Sequence, residues 1–524
     1  MKFCLFSAIC VLPLLISSDN VYCRSYDKNY NDNYNSENSL DNDSSFQDSN
    51  DAEESKMYPF VKADQLQDDE VLGIIVSESG TYALGSDKRY IQISASTSNT
   101  DSSSYSNSKS SSGSSYSSSS YSSSDGDGTK QVFDFGFFDR YPNLYSVELR
   151  KISISVDQME QLQKYLPANL QSLSFNQCKI KPFAYKNVAA IIGDHSKLTV
   201  LKIVDPSIDG TTVDELLDSA SSLSKLISVN FTFGGISSDG LSKLTKLFES
   251  SVNTLKYVTL GFGEVEYTDA YADFMNAFGK LEKLENLEFA LLKSSPDIAM
   301  KFVQSLSGLK NLHSLKFNFR DIRDQDSVAI YNVFLELRKV IEELRELEVI
   351  DISSMNLFSD NIQVIASALG NLPSLKTLNL SGNFISKEAA ATISEALKNC
   401  SSLVTLIMNS CGITDEVLSE LCSQMEGSIK YWYLRNNKIK DGASNLPLSK
   451  LPDIKLIDLS RNYMDYNAAL AVVKLTEGHS ALGIINFKDN SGIINIPSSK
   501  LIDYHDKLNK WEAKNNSKIT FFGL

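Results

Sequence analysis

Histidine, cysteine and glycine are the residues whose types and spacing in this sequence could support catalysis or metal binding. The stretch GFGEVEYTDA from Gly261 has neither the GxGxxG spacing nor the lysine of a phosphate-binding loop, so a strand end followed by a turn explains it better. No nucleophilic or metal-ligating set can be assembled around the histidines, which lie far apart at His195, His313, His479 and His505. We therefore predict that the protein is not an enzyme and holds no metal and no cofactor.

The cysteines give no evidence of a disulfide framework. Cys4 and Cys10 fall in the apolar N-terminal run, and Cys23 lies at its end. The remaining cysteines form no CxxC pair and no dense cluster, and they are Cys178, Cys400, Cys411 and Cys422. Their spacing alone assigns no disulfide.

The net charge of −15 is concentrated near the N-terminus. Between Asp19 and Glu70 there are 14 acidic and 4 basic residues, a net charge of −10. No cluster of lysine and arginine suits a phosphate backbone, so we predict that nucleic acid is not a partner.

The first residues, MKFCLFSAICVLPLLISSDNVYC, predict a secretory signal peptide at residues 1–23. Lys2 supplies the basic end, the apolar run is short for a membrane span, and small polar residues follow it. A buried N-terminal helix is the alternative. We see no later apolar stretch of membrane-spanning length, so no membrane span is expected after signal removal.

Three segments separate this leader from the apolar part of the chain. Residues 24–56 are acidic and rich in Asn and Ser, and we expect disorder because they offer little apolar area to bury. Residues 57–93 contain two β-prone pieces and predict a small β unit. Residues 94–130 predict a Ser-rich linker, with 20 Ser among residues 94–124. A stalk carrying O-glycans or phosphates is the alternative for this linker.

From about residue 131 one apolar pattern recurs, as in LKTLNLSGNFI from Leu375. The steps between copies are 26, 28, 28, 29, 29, 28, 35, 28, 28, 26, 25 and 28 residues. A repeat period in this range predicts a solenoid. The copies begin at Leu144, Leu170, Leu198, Leu226, Leu255, Leu284, Leu312, Leu347, Leu375, Leu403, Ile429, Ile454 and Leu482.

Each copy predicts one short strand and one helix. Leu378 and Leu380 point to the same side of a strand, and Asn383 can bond backbone groups in the turn that follows. The remainder of the copy has helical spacing. The 35-residue step predicts one longer helix.

The pattern resembles the leucine-rich repeat family, in its ribonuclease-inhibitor-like class. The resemblance implies an α/β solenoid, a horseshoe of about thirteen strand–helix units over residues 144–496, with a parallel concave sheet and helices on the convex side. Cys178 and Cys411 replace the turn Asn in ways such families tolerate. A continuous Asn ladder is not expected in the middle, where the position holds Pro206, Gly234, Gly263, Leu292 and Arg320. We predict an N-terminal cap at 131–143 and a C-terminal cap at 497–524, where Leu501, Leu508 and Trp511 share a helical face.

Residues that flank the core leucines of each strand should face the concave side. Most of those we considered are small or polar, but in the last four copies they become apolar or aromatic, which is typical of a protein interface. The predicted partner-binding residues are Ile407, Asn409, Tyr431, Tyr433, Arg435, Leu456, Asp458, Ile484 and Asn486. Trp432 occupies a Leu position and is assigned to the core. Alternatively, the C-terminal cap covers some of these residues, or they are scattered apolar residues without function.

N-glycosylation triplets begin at Asn42, Asn230, Asn379, Asn399 and Asn515. Asn230 and Asn379 fall on the concave side, where glycans would block binding.

Together these features predict a secreted or vesicular scaffold that binds a protein ligand of unknown identity. Two alternatives stay open. Ran GTPase-activating proteins have ribonuclease-inhibitor-like repeats, so a GTPase-activating regulator is the first. A structural coat component is the second.

Overall fold

The computed structural model describes residues 73–77, 80–84, 90–95, 135–320, 322, 326–494, 502, 506–511 and 519–523. The predicted signal peptide (1–23) and the acidic segment (24–56) lie outside these residues, and so do residues 96–134, which include most of the predicted linker.

Strands and helices alternate along the chain. The strands are β1 (Gly73–Ser77), β2 (Gly80–Leu84), β3 (Tyr90–Ala95), β4 (Ser146–Arg150), β5 (Ser153–Ile154), β6 (Ser172–Asn176), β7 (Lys179–Ile180), β8 (Val200–Asp205), β9 (Ser228–Phe233), β10 (Tyr257–Glu264), β11 (Asn286–Lys293), β12 (Ser314–Phe319), β13 (Val349–Asp351), β14 (Thr377–Asn379), β15 (Thr405–Ile407), β16 (Tyr431–Tyr433), β17 (Leu456–Asp458), β18 (Ile484–Asn486) and β19 (Thr520–Phe522). The α-helices are α1 (Val156–Tyr165), α2 (Tyr185–Asp194), α3 (Gly210–Ala220), α4 (Ser238–Ser250), α5 (Asp269–Phe278), α6 (Pro296–Ser305), α7 (Ser327–Glu343), α8 (Ser359–Leu369), α9 (Lys387–Leu397), α10 (Asp415–Ser423), α11 (Tyr466–Leu475) and α12 (Ser491–Ile494).

Seventeen of these strands form one sheet in the described part of the chain. Its spatial order is β3-β2-β1-β4-β6-β8, followed by β9 to β19 in sequence order. The pairings β1–β2 and β2–β3 are antiparallel and all others are parallel. The thirteen repeat strands predicted from the sequence are β4, β6 and β8 to β18.

The core lies between the sheet and the helices. In the copy from Leu375, the side chains of Leu375, Leu378, Leu380 and Ile385 are all buried. Neighbouring strands are spaced by about 4.8 Å, whereas packed helices need about 8–10 Å. Because the helical layer is wider per repeat, the stack curves with the sheet on its concave side, as predicted.

The turn after the strand differs along the stack. In four C-terminal repeats a buried Asn closes the turn, and Asn383 donates to the Ile352 and Leu380 carbonyls at 2.8 and 3.1 Å. Asn437, Asn462 and Asn490 make equivalent bonds to backbone carbonyls. In β8 to β12 the turn Asn is missing, and the strands extend to 6–8 residues and pair directly. The sheet is therefore widest from β8 to β12.

Close backbone packing accompanies the wide strands. A Cβ on Gly263 would stand 2.0 Å from the Gly234 carbonyl oxygen, and one on Gly234 would stand 2.8 Å from that of Pro206. The residues that replace Asn there allow one backbone to rest on the next.

The copy from Ile429 departs from the predicted strand–helix unit. The copy from Ile429 carries two 3-10 helices, Asp441–Asn445 and Leu448–Lys450, in place of an α-helix. It precedes the shortest step, of 25 residues, and contains Gly442 and Pro447. A Cβ on Gly442 would collide with Asp415 at 2.6 Å, so this segment packs too closely on α10 for a full helix. The 35-residue step contains α7, whose 17 residues make it the longest helix described.

Both ends of the stack are covered. At the N-terminal end, β1 pairs with β4 and continues the sheet, and the 3-10 helix Phe135–Arg140 buries Phe135 and Phe138. At the other end, β19 pairs with β18. The ring of Phe521 packs on those of Trp511 and Phe487. Of the residues predicted to share a helical face there, Leu508 and Trp511 are buried, and Leu501 lies outside the described residues.

Candidate binding face

The outward side chains of the sheet form rows that cross the repeats. In the last four repeats the first row runs Thr405, Tyr431, Leu456, Ile484, and the middle row runs Ile407, Tyr433, Asp458, Asn486. Strand alternation buries Leu406, Trp432, Ile457 and Ile485 between these rows. Trp432 therefore lies in the core, as predicted from its Leu position.

The nine predicted contact residues occupy four adjacent strands and their ends. We call Ile407, Asn409, Tyr431, Tyr433, Arg435, Leu456, Asp458, Ile484 and Asn486 the C-terminal patch. Arg435 is exposed and the other eight residues are half-buried. The structure brings all nine onto one face.

Three polar members of this patch also support the backbone. Asp458 accepts from the Ser460 amide at 2.9 Å, and Asn486 accepts from the Lys488 amide at 3.0 Å. The side chain of Asn409 accepts from the Arg435 amide at 2.9 Å, and this bond joins two consecutive repeats. These residues therefore stabilise the backbone, in addition to any contact that they make with a ligand.

The surroundings of Tyr433 change the pKa of its phenol. Partial burial, the Asp458 carboxylate and the neighbouring Tyr431 raise the pKa of the Tyr433 phenol. The phenol therefore remains a neutral hydrogen-bond donor at neutral pH.

The patch continues onto a residue that was not predicted. Phe522 of β19 follows Asn486 in the middle row and is 50% exposed. The described residues of the C-terminal segment thus lengthen the face beside Ile484 instead of covering it. The alternation in KITFF could have indicated this, because one of two consecutive Phe residues must face outward.

A second set of outward residues was also missed, in the N-terminal and central repeats. The middle row there runs Glu148, Ser174, Lys202, Asn230, Thr259, Glu288, Lys316 and Asp351. The signal was a charged residue between two apolar ones, as in VEL, LKI, LEF and LKF. The concave floor is therefore charged as well as small and polar.

Partial burial perturbs several of these charges. It raises the pKa of the Glu288 carboxyl, and Asp351 adds to the rise while Lys316 and Lys202 oppose it. Burial lowers the pKa of the Lys202 ammonium, partly offset by Glu148. The pKa of the Glu148 carboxyl is lowered instead. Burial alone would raise this pKa, but the Arg150 guanidinium, Lys202 and Asn176 together outweigh burial.

The glycosylation triplets occupy different environments. Asn230 and Asn379 are half-buried on the concave side, and Asn379 donates to the Asp351 carboxylate at 3.0 Å. Asn399 is exposed beyond α9. Asn42 and Asn515 lie outside the described residues.

Two of the described histidines contact backbone carbonyls, and the described cysteines are buried. His195 is buried with its Nδ1 2.6 Å from the Ile191 carbonyl oxygen, and the His479 Nε2 lies 3.0 Å from that of Leu451. His505 lies outside the described residues. Burial raises the pKa of the thiols to about 11 or 12, and they are Cys178, Cys400, Cys411 and Cys422.

The described residues contain no group of three or more His, Cys, Asp or Glu side chains placed to hold a metal ion. None of the described helices combines the length and apolar character needed to cross a membrane.

Comparison with known proteins identifies the repeat. A leucine-rich repeat family model matches residues 371–394 and 399–422. No curated protein matches the sequence.

Solved structures with a similar chain path include an internalin of Listeria monocytogenes, at 17% identity and a TM-score of 0.38, covering 72% of this chain and 85% of that one. A leucine-rich-repeat protein of Leptospira interrogans has 14% identity and a TM-score of 0.36, covering 73% and 91%. A structure of the yeast Rad7–Elc1 complex has 16% identity and a TM-score of 0.35, covering 59% and 80%.

Proposed function

Because the chain is a leucine-rich-repeat solenoid, we propose that it is a non-catalytic scaffold of the secretory pathway that binds a protein ligand through its C-terminal patch. The ribonuclease-inhibitor-like class remains a prediction. Such a sheet presents a long, rigid face, on which side chains from successive repeats act together.

One observation carries the proposal. Tyr431, Leu456 and Ile484 lie side by side in one row, and Ile407 and Tyr433 lie in the row beside them, all half-exposed. Aromatic side chains and Arg contribute most of the binding energy at protein interfaces, and contiguous exposed apolar area marks contact sites. Arg435 and the carboxylate of Asp458 supply a polar rim to this apolar centre.

The location rests on the sequence of residues 1–23, with its basic end, apolar run and small polar residues. Buried cysteines are compatible with an oxidising compartment, because thiols with raised pKa values react slowly. Sequencing the N-terminus of the protein from its native source tests export. A secreted or vesicular chain that begins near Ser18 or Cys23 supports it, and a cytosolic chain that retains Met1 refutes it.

Binding is tested by affinity capture of a ligand with the full chain, followed by measurement of its Kd for variants. Truncation of a hot-spot residue costs about 2 kcal/mol, so Tyr431→Ala and Tyr433→Ala should each weaken binding roughly 30-fold. Tyr257→Ala is the matched control, since Tyr257 occupies the first row on β10, outside the patch. Unchanged affinity in both patch variants would refute this choice of face.

A further inference from the structure

Three polar residues meet on the concave floor, far from the C-terminal patch. Ser174, Lys202 and Asn230 stand in register on β6, β8 and β9. Strand spacing places the Cα atoms of neighbouring members of this set about 4.8 Å apart. All three point to the side opposite the core, because Leu173, Leu201 and Val229 beside them are buried under the helices.

These residues carry polar atoms that the described part of the chain leaves without hydrogen-bond partners. Ser174 is 6% exposed, and its buried Oγ has no partner. The buried Oδ1 of Asn230 has none either. Buried polar atoms are normally paired, and leaving one unpaired destabilises the folded protein. Two such atoms, one on each side of Lys202, indicate a binding site for a polar group.

The local charge has a definite sign. The Glu148 carboxylate is compensated by the Arg150 guanidinium at 3.3 Å and receives a bond from Asn176 Nδ2 at 3.4 Å. Lys202 makes no ion pair within 4 Å among the described residues, and Glu288 lies three strands away. On the outward rows from β4 to β9, Arg150 and Lys202 carry two positive charges against the one negative charge of Glu148, which leaves a net charge of +1.

We propose that Ser174, Lys202 and Asn230 form a carboxylate-binding site that receives an Asp or Glu side chain of a protein ligand. The Lys202 ammonium and the Ser174 hydroxyl donate to the carboxylate, and Asn230 Oδ1 accepts from the ammonium. Such charge-assisted bonds are the stronger class of hydrogen bond. A single carboxylate fits better than a phosphate dianion, because its one negative charge matches the net charge of +1 on these rows.

The neighbouring outward side chains on the same strands are short. The first row beside the site consists of Ser172, Val200 and Ser228, all short. A ligand segment that lies along the concave face can insert an acidic side chain between these short residues. Burial disfavours the charged form of Lys202, and a bound carboxylate would restore it. The site rests on the proposed use of the concave face but shares no residue with the C-terminal patch.

The probe for this site is a phage-displayed library of random linear peptides, selected on the immobilised full chain. We expect recovered peptides to be enriched in Asp and Glu, and their affinity to fall roughly ten-fold or more in Lys202→Gln. Lys202→Glu should instead select peptides rich in Lys and Arg. Lys256→Gln is the matched control, because Lys256 pairs with Glu285 outside the site. Thermal unfolding confirms that each variant is folded.

Several outcomes would overturn the proposal. These are the recovery of no binding peptide, equal binding by Lys202→Gln, or a glycan on Asn230 found by mass spectrometry, since that glycan would fill the site. Peptides that lose affinity in Tyr431→Ala but not in Lys202→Gln would also overturn it while supporting the C-terminal patch. Peptides that lose affinity only in Lys202→Gln would support it and count against the patch, so the two failures are distinguishable.

Discussion

Replacing Asn437 by Ala should be among the most damaging single changes in the C-terminal repeats. Asn437 is 3% exposed, and its side-chain oxygen accepts from the Cys411 and Ile413 amides at 2.9 and 3.1 Å. Its Nδ2 donates to the Met408 and Leu434 carbonyls at 2.8 and 2.9 Å. One side chain thus makes close hydrogen bonds, at 3.1 Å or less, to four backbone groups of two consecutive repeats.

The magnitude follows from the groups left unpaired. Each buried donor or acceptor without a partner costs about 1–3 kcal/mol, and a water entering the vacated space recovers part of this. We expect Asn437→Ala to lower the free energy of unfolding by about 3–4 kcal/mol. Asn437→Cys should lose about 1 kcal/mol less, because a thiol can donate as Cys411 does to the Leu380 carbonyl at 3.4 Å.

Two measurements check this prediction. Urea denaturation followed by circular dichroism gives the change in stability, and hydrogen exchange with mass spectrometry reports on the amides of Cys411 and Ile413. Asn445→Ala is the control, since Asn445 is exposed in the same repeat. A loss of less than about 0.5 kcal/mol, the scale of an ordinary surface substitution, or unchanged protection at both amides, would refute the reasoning.

Three further predictions concern the backbone, the charged floor and the thiols. Gly382→Ala should destabilise by about 1–2 kcal/mol in urea denaturation, because Gly382 has φ of +70° and an added Cβ would stand 3.0 Å from the Ser354 Cα; an unchanged midpoint would contradict this. Glu288→Gln should stabilise the protein at neutral pH, because folding raises the pKa of the Glu288 carboxyl. The wild type therefore loses stability as the pH rises from the unfolded-state pKa of 4.5 towards the folded-state pKa. The advantage of Glu288→Gln should vanish in acid, and a gain that persists there would exclude ionisation of Glu288 as its cause. Alkylation by iodoacetamide at pH 8 should be slow in folded protein and rapid in urea, since burial raises the thiol pKa values to about 11 or 12, and fast native labelling would contradict the burial of Cys178, Cys400, Cys411 and Cys422.

The sequence was sufficient for the positions of the repeat strands. The spacing of Leu375, Leu378 and Leu380 combines a period of two within the strand with a longer step from the loop, and few other folds require both. The same logic correctly placed Trp432 in the core. The apolar rows of the C-terminal patch followed directly from strand alternation.

The remaining differences have local causes. An α-helix was expected in the repeat from Ile429, but the close approach of Gly442 to α10 and the presence of Pro447 favour 3-10 turns. The widening of β8 to β12 depends on backbone stacking at Gly234 and Gly263, which a pattern of apolar residues does not encode. The charged floor was visible as Glu148 and Lys202 between core positions, because strand alternation directs these residues outward.

The repeat without an α-helix has a mechanical consequence for the patch it carries. Curvature arises from the mismatch between a thick outer layer and a thin inner one, and 3-10 turns occupy less width than a helix. The radius of the arc should therefore be larger around Tyr431 and Tyr433 than around β8 to β12. A flatter region there would suit a broad, gently convex object, while the tighter arc would suit a narrow strand-like one.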